Sequence, residues 1–314
     1  MKVYNSIFEY QKKNKSILTL GTFDGVHIGH KKIIKKLTKQ TLEYKYESVL
    51  LTFFPHPRMV LKQDVKIQLL NTIEEKIKLI KATGIQHLII HPFDAIFSEL
   101  TAEDFVKKVL VDQLNIGKII IGHDHKFGKN RAANIDDLIE LGEKYNFEVD
   151  QISVKEIDSI SISSTKIRTA LLAGKIELAN AYLGHPYAIS GVVVEGKKIG
   201  RTIGFPTANI ELTEDYKLIP KNGVYVVSCE MKTGTVFGMM NIGNNPTVEG
   251  KKNSIEIHFF DFNKTIYQEQ ISVYLHARIR DEQKFNSLEA LKNQLVLDKK
   301  YSIDYVQKNT ATIK

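Results

Sequence analysis

"GTFDGVHIGH", residues 21–30, decides how the first half of this chain is read. Before it, "SILTL" (16–20) is a short apolar run of strand type; after it, "KKIIKKLTKQTLEYKY" (31–46) repeats apolar residues at helical spacing. The decapeptide is therefore a turn that hands a strand over to a helix. Such a junction aims unpaired backbone N–H groups and the positive end of a helix dipole at one point, which suits an anion. Gly21, Gly25 and Gly29 let backbone approach a ligand closely, and His27 and His30 sit among them. Zinc needs at least three ligands, and this pair lacks the glutamate of HExxH. A lone histidine here would read as a helix cap or a solvated side chain. The pair among glycines reads as phosphate chemistry, although the turn is neither GxxxxGK[ST] nor GxGxxG.

Outward from the turn, strand and helix alternate. "SVLLTFF" (48–54), "HLII" (87–90), "KIIIG" (118–122) and "FEVDQISV" (147–154) read as strands; "NTIEEKIKLIKATG" (71–84, closed by Gly84), "TAEDFVKKVLVDQL" (101–114, capped at Thr101) and "NIDDLIELGEKY" (134–145) read as helices. Five strands alternating with helices predict a parallel sheet covered on both faces, with ligands at the carboxyl ends of the strands. The opening turn, "FFPHPR" (53–58), "GHDHKFG" (122–128) and "SISSTKIR" (161–168) all follow strands and should gather on that edge. Ser163, Ser164 and Thr165 taken singly are ordinary helix caps. Lys166 and Arg168 in the first turn are not, because a helix N-terminus disfavours cations unless an anion is present. The set reads as a second anion cradle, with Arg168 able to clasp phosphate oxygens bidentately.

The helix from "STKIR" is expected to run to Gly184, after which "HPYAI" (185–189) leads into a different pattern. Six short runs, "YAISGVVVE", "TANIEL", "GVYVVSCEM", "TVFGMMNI", "SIEIHFFDF" and "QISVYLHARI", predict a small antiparallel barrel, closed by one helix at "SLEALKNQLVLD" (287–298). In "GKKIGRTIGFPTANI" (196–210), Thr207 and Asn209 lie two apart on an extended segment and so point the same way, offering uncharged oxygens to a phosphate-bound Mg²⁺. A Pro-containing turn with polar caps explains the same residues without function. Glu256 shares the face of "SIEIHFFDF" with Ser254, His258 and Phe260. It is a solvated side chain, or, in a site, a base for an alcohol attacking ATP.

The 314 residues carry 43% hydrophobic and 25% charged residues, and one cysteine, Cys229, which excludes an internal disulfide and any cysteine-cluster metal site. The first residues lack a signal-peptide core, and no run approaches the ~20 apolar residues of a membrane span, so a cytoplasmic protein is expected. The net charge of +8 is spread along many helices and forms no basic block, so small anionic substrates are expected in place of nucleic acid or membrane. Nothing fixes the oligomeric state; a monomer or weak homo-oligomer is expected.

Taken together, "GTFDGVHIGH", "FFPHPR", "GHDHKFGKNR" and "ISSTKIR" resemble the adenylyltransferase half of bacterial riboflavin kinase/FAD synthetases, within the cytidylyltransferase-like nucleotidyltransferases. "GRTIGFPTANI", "NGVYVV", "MMNIGNNPTV", "IEIHFFDF" and "RIRDEQKFNSLEALKNQL" resemble the riboflavin kinase half in order and spacing. The resemblance implies a Rossmann-like nucleotidyltransferase domain over 1–184 and a riboflavin-kinase barrel over 185–314. It implies ATP contacts at Gly21, Phe23, Asp24, Gly25, His27, His30, Ser163, Ser164, Thr165 and Arg168, with His27, His30 and Arg168 in catalysis, and flavin contacts at Asp124, Phe127 and Arg131. In the barrel it implies ATP contacts at Gly200 and Arg201, Mg²⁺–ATP ligands at Thr207 and Asn209, Glu256 as the base for the riboflavin 5′-hydroxyl, and Arg280 and Phe285 on the flavin side. The expected sequence of reactions is riboflavin to FMN to FAD, using two ATP and releasing pyrophosphate.

The chain departs from that pattern at His125, where relatives carry an aromatic residue, at "RAANI" (131–135), where Arg-x-Gly is common, and at Gln268, where glycine is usual. Two other readings compete. One is a nucleotidyltransferase for another phosphorylated substrate with an inactive barrel, against which the PTAN segment and Glu256 stand. The other is a flavin-binding regulator without chemistry, against which the histidine pair and Arg168 stand.

Overall fold

Central strands buried along nearly their whole length need cover on both faces, and the first half of the chain supplies it. The structure, a computed structural model, describes residues 1–61, 67–122, 126–152, 162–196, 199–247 and 250–313. It divides into two compact units, Met1–Leu69 with Ile73–Ser163, and Leu70–Thr72 with Ser164–Lys314. In the first unit the strands are β1 (Lys2–Tyr4), β2 (Ser16–Leu20), β3 (Glu47–Phe53), β4 (His87–His91), β5 (Ile116–Gly122) and β6 (Glu148–Ile152). They form one sheet in the order β1-β4-β3-β2-β5-β6, and every neighbouring pair is parallel. The sequence predicts five of these strands. β1 adds a sixth, three residues long, too short to show a period before it pairs with β4.

The helices are α1 (Ile28–Tyr44), α2 (Pro57–Leu61), α3 (Ile73–Lys81), α4 (Ala95–Ser98), α5 (Ala102–Asp104) and α6 (Ile135–Tyr145). α5 continues through Phe105–Gln113 in π-helical geometry, and Thr101 caps it by accepting from Asp104 N–H. Alternate residues of the strands serve opposite faces: Ile17, Leu50 and Ile120 pack with Ile34 and Leu37 of α1 and Ile80 of α3. Leu18, Leu51 and Ile119 pack with Phe105, Leu110 and Leu138. With both faces covered, a ligand's access is the edge at the carboxyl ends of the strands. The turn after β2 leaves that edge against the end of β3, tied by Gly21 N–H to Leu51 O (3.1 Å) and Thr52 Oγ1–H to Thr22 O (3.2 Å).

The second unit opens with α7 (Ser164–Leu172) and α8 (Ile176–Leu183). One helix from 164 to 184 is predicted; two are found, because Gly174 turns left-handed at φ +75° and ends the first of them. Gly184, at φ +68°, closes α8 as expected. The remaining elements are β7 (Tyr187–Val194), α9 (Ile199–Thr202), β8 (Ala208–Leu212), β9 (Gly223–Met231), β10 (Gly234–Thr247), β11 (Gly250–Phe259), β12 (Gln270–Arg280) and α10 (Leu288–Ile313). The six strands close into an antiparallel barrel in the order β10-β11-β8-β7-β12-β9, which leaves no free edge.

Candidate functional site

The 21–30 turn is shaped by backbone that few residues tolerate. Phe23 (φ +45°), Gly25 (φ +88°) and Val26 (φ +39°) are left-handed, at a cost of about 1–2 kcal/mol for each non-glycine residue. Burial of the Phe23 and Val26 side chains and a Val26 N–H to Phe23 O bond (3.2 Å) offset it. The chain then enters α1 with His27 as its N-cap, where Nδ1 accepts from His30 N–H at 3.4 Å. An accepting Nδ1 leaves the proton of neutral His27 on Nε2. The His27 and His30 rings stack at 3.6 Å with 18° between planes, and Phe23 closes on His30 at 4.9 Å. Burial pushes His27 down to about 4. Burial, then repulsion from a protonated His27 and from Lys76, hold His30 well below its ordinary value. Both rings are therefore neutral at pH 7. His30 Nδ1 is buried with no hydrogen-bond partner among the described residues, a donor or acceptor held in reserve.

Asp24 is 1% exposed, and beside it lies a residue the sequence reading missed, Lys76 of α3. Its Nζ donates to Thr22 O at 2.8 Å. The signal was available: Ile73, Lys76, Ile77 and Ile80 occupy one helical stripe, so the lysine stands where an apolar residue belongs.

Ser163 ends the first unit, and Ser164, Thr165 and Arg168 on α7 belong to the second. Ile167 is buried and anchors the helix; Thr165 and Lys166 are exposed, and Ser163, Ser164 and Arg168 are half-buried. The first turn of α7 contains no acidic residue. Phe127 is buried in the first unit's core, 6.0 Å from the Phe105 ring, and Arg131 is exposed at φ +56°. Asp124, with its neighbour His125, lies outside the described residues.

In the barrel, three of the expected residues come together. Glu256 on β11 stands opposite Asn209 on β8 and opposite Asn241 on β10. Thr207 Oγ1–H reaches Glu256 Oε2 at 3.4 Å. Gly196 meets the Asn209 side chain so closely that a Cβ there would displace it. The α9 loop doubles back, with Phe205 N–H donating to Gly200 O at 2.8 Å, and a Cβ on Gly200 would strike the Phe205 carbonyl. Arg201 is exposed. His258 Nδ1 lies 2.9 Å from Pro206 O and its ring 5.1 Å from Phe205, so β11 also pins the segment leading to Thr207. Two neutral oxygens beside a single carboxylate, held by glycine-tight backbone, fit Mg²⁺ carried by nucleotide phosphates. No group of three or more His, Cys, Asp or Glu that could hold a metal alone is found among the described residues.

Arg280 and Phe285 are also neighbours, guanidinium to ring centroid 5.8 Å. Arg280 is committed elsewhere as well: it grips Asp298 of α10 through Nε (3.0 Å) and Nη2 (2.7 Å), and Asp298 is 1% exposed. A guanidinium so held fixes the terminal helix to the barrel.

A wound sheet with stacked, desolvated imidazoles at its ligand edge, followed by a barrel that sets a carboxylate beside Thr and Asn oxygens, is the design of a two-domain transferase acting on nucleotides. Comparison with known proteins agrees: the FAD synthetase family model matches residues 9–166 and the riboflavin kinase family model residues 183–306. The chain is 42% identical over 303 residues to the bifunctional riboflavin kinase/FMN adenylyltransferase of Buchnera aphidicola subsp. Schizaphis graminum, covering 95% of this chain and 96% of that one. It is 37% identical to the protein of the same name from Bacillus subtilis, covering 94% of each. The chain belongs to the bifunctional riboflavin kinase/FMN adenylyltransferase family. Among solved structures, one described as a macrolide-efflux protein from Streptococcus pneumoniae superposes with a TM-score of 0.86 at 32% identity, over 96% of this chain and 98% of that one. Among the described residues no helix is long and apolar enough to cross a membrane.

Proposed function

We propose that this chain phosphorylates riboflavin to FMN in residues 185–314 and adenylylates FMN to FAD in residues 1–184, with ATP as the donor in both steps. Membership of the bifunctional family supports both activities, and each half carries its own polar cluster. For adenylyl transfer, the FMN phosphate oxygen attacks the α-phosphorus of ATP and pyrophosphate leaves, with no covalent intermediate on the protein. His27 Nε2–H and the His30 ring donate to the phosphates, the backbone around Gly21, Phe23, Asp24 and Gly25 packs against the nucleotide, and Ser163, Ser164, Thr165 and Arg168 bind the phosphates. Neutral imidazoles suit this role, since the arriving anion draws protons toward them as charge builds. Asp124, Phe127 and Arg131 are assigned to the flavin side of this step.

For the kinase step, Glu256 takes the proton of the riboflavin 5′-hydroxyl as its oxygen attacks the γ-phosphorus and ADP departs. Thr207 and Asn209 would hold Mg²⁺ on the ATP phosphates; bound there, the ion neutralises charge developing on the transferred group. Gly200 and Arg201 cover the phosphates, and Arg280 and Phe285 flank the flavin. We place the protein in the cytoplasm, as a monomer or weak homo-oligomer with small-molecule partners only.

The observation that carries the kinase assignment is the convergence of Thr207, Asn209 and Glu256 from segments far apart in sequence. The test is incubation of the purified protein with riboflavin, ATP and Mg²⁺, followed by chromatographic separation of the flavins. FMN followed by FAD is expected; FMN that never proceeds to FAD, or supplied FMN left unadenylylated, contradicts the reading.

A further inference from the structure

Lys76 is 2% exposed, on a helix stripe otherwise made of isoleucine. Burying an ammonium is costly unless partners meet it. Its hydrogen-bond partner is the Thr22 carbonyl at 2.8 Å, and the buried charge of Asp24 opposes the burial that lowers the lysine's own proton affinity. Thr22 O is held a second time by Thr52 Oγ1–H. The backbone so fixed is the segment whose left-handed residues, Phe23 and Val26, would relax to ordinary conformations if released. Relaxation would move His27 off the end of α1 and undo its stack on His30. A methionine of similar length would fill the space at lower desolvation cost, so packing alone does not account for a charge here.

We propose that Lys76 is a positioning residue for adenylyl transfer: it holds the Thr22 carbonyl, next to the left-handed Phe23, so that His27 and His30 face the nucleotide phosphates together. This rests on the assignment of the turn to the adenylyl step. Its second consequence is electrostatic: the charge of Lys76 adds to burial in keeping the His30 ring neutral until the anion arrives.

The two reactions of one chain give the test an internal control. Lys76→Met and Lys76→Arg are made in the full chain, and kcat and KM for ATP are measured separately with supplied FMN and with riboflavin. Lys76→Met is expected to lower kcat for FAD formation by about tenfold or more, with KM for ATP changed by less than about threefold and FMN formation within about twofold. Lys76→Arg, which keeps the charge, is expected to recover part of the loss. FAD formation within about threefold of wild type in Lys76→Met overturns the proposal. If Lys76→Met loses both reactions, Lys76→Arg decides: FMN formation kept with lowered FAD formation supports positioning, while both kept or both lost reduces Lys76 to holding the fold. Wild-type protein that makes no FAD from supplied FMN would instead sink the assignment of the adenylyl step, before any variant is compared.

Discussion

Two imidazoles stacked at 3.6 Å repel as cations, and burial has already removed the difficulty by holding both neutral. The stability consequence has a definite sign. His27 titrates near 6.5 when unfolded and about 4 when folded, so on acidification the unfolded chain takes the proton first. This residue's contribution is intact above pH 6.5 and is lost as pH falls toward about 4. His27→Gln is expected to flatten the fall of the urea midpoint across that window; an unchanged slope would show that His27 is not the group being titrated. At the other cluster, Glu256→Gln keeps the size and removes the proposed base. FMN formation should fall by about 10²–10⁴-fold while supplied FMN is still adenylylated, read as initial rates of the two steps. Both clusters are legible as residues in the sequence because glycine-rich and Pro-containing turns mark them. Lys76 shows in the sequence only as a cation on an apolar stripe, without its partner Thr22, and the Asp298 partner of Arg280 does not show at all, because these pairings exist only once distant segments fold together.

Elements carry the second set of consequences. In the barrel the α9 loop is closed by Phe205 N–H on Gly200 O, and there is no room for a side chain at Gly200. Gly200→Ala should push the loop off its seat at a cost of about 1–3 kcal/mol, lowering the kinase rate by roughly tenfold or more and sparing FAD formation from supplied FMN. Gln268 is left-handed at φ +65°, which explains why glycine suits this turn. Gln268→Gly is therefore expected to leave the urea midpoint unchanged or raise it, relieving about 1 kcal/mol of backbone strain. A clear loss of stability would mean that the Gln268 side chain makes a compensating contact. Strands β2 to β6 were readable because they alternate with helices whose apolar stripes share their core. β1 was not, since three residues carry no period, and the break between α7 and α8 was missed because Gly174 sits in an unbroken run of good helix formers.

At the scale of the whole molecule, the chain runs through its first unit, enters the second for Leu70–Thr72, returns, and finally commits to the second at Ser164. The fold class of each half follows from its pattern, apolar runs alternating with helical stripes in the first and successive short strands in the second, while that three-residue excursion depends on buried contacts such as Lys217 Nζ on Leu70 O (2.6 Å) and leaves no trace in composition. Family was legible further than geometry, because its ordered motifs recur in both halves, whereas the grip of Asp298 on Arg280 could only be seen folded. In the proposed reading one chain carries two independent reactions. The sharpest check gives riboflavin, ATP and Mg²⁺ to the His27→Ala/His30→Ala double variant and to Glu256→Gln, and FMN, ATP and Mg²⁺ to the latter. Separate sites predict that the double variant accumulates FMN without FAD and that Glu256→Gln makes FAD only from supplied FMN; loss of both reactions in either folded variant would contradict them.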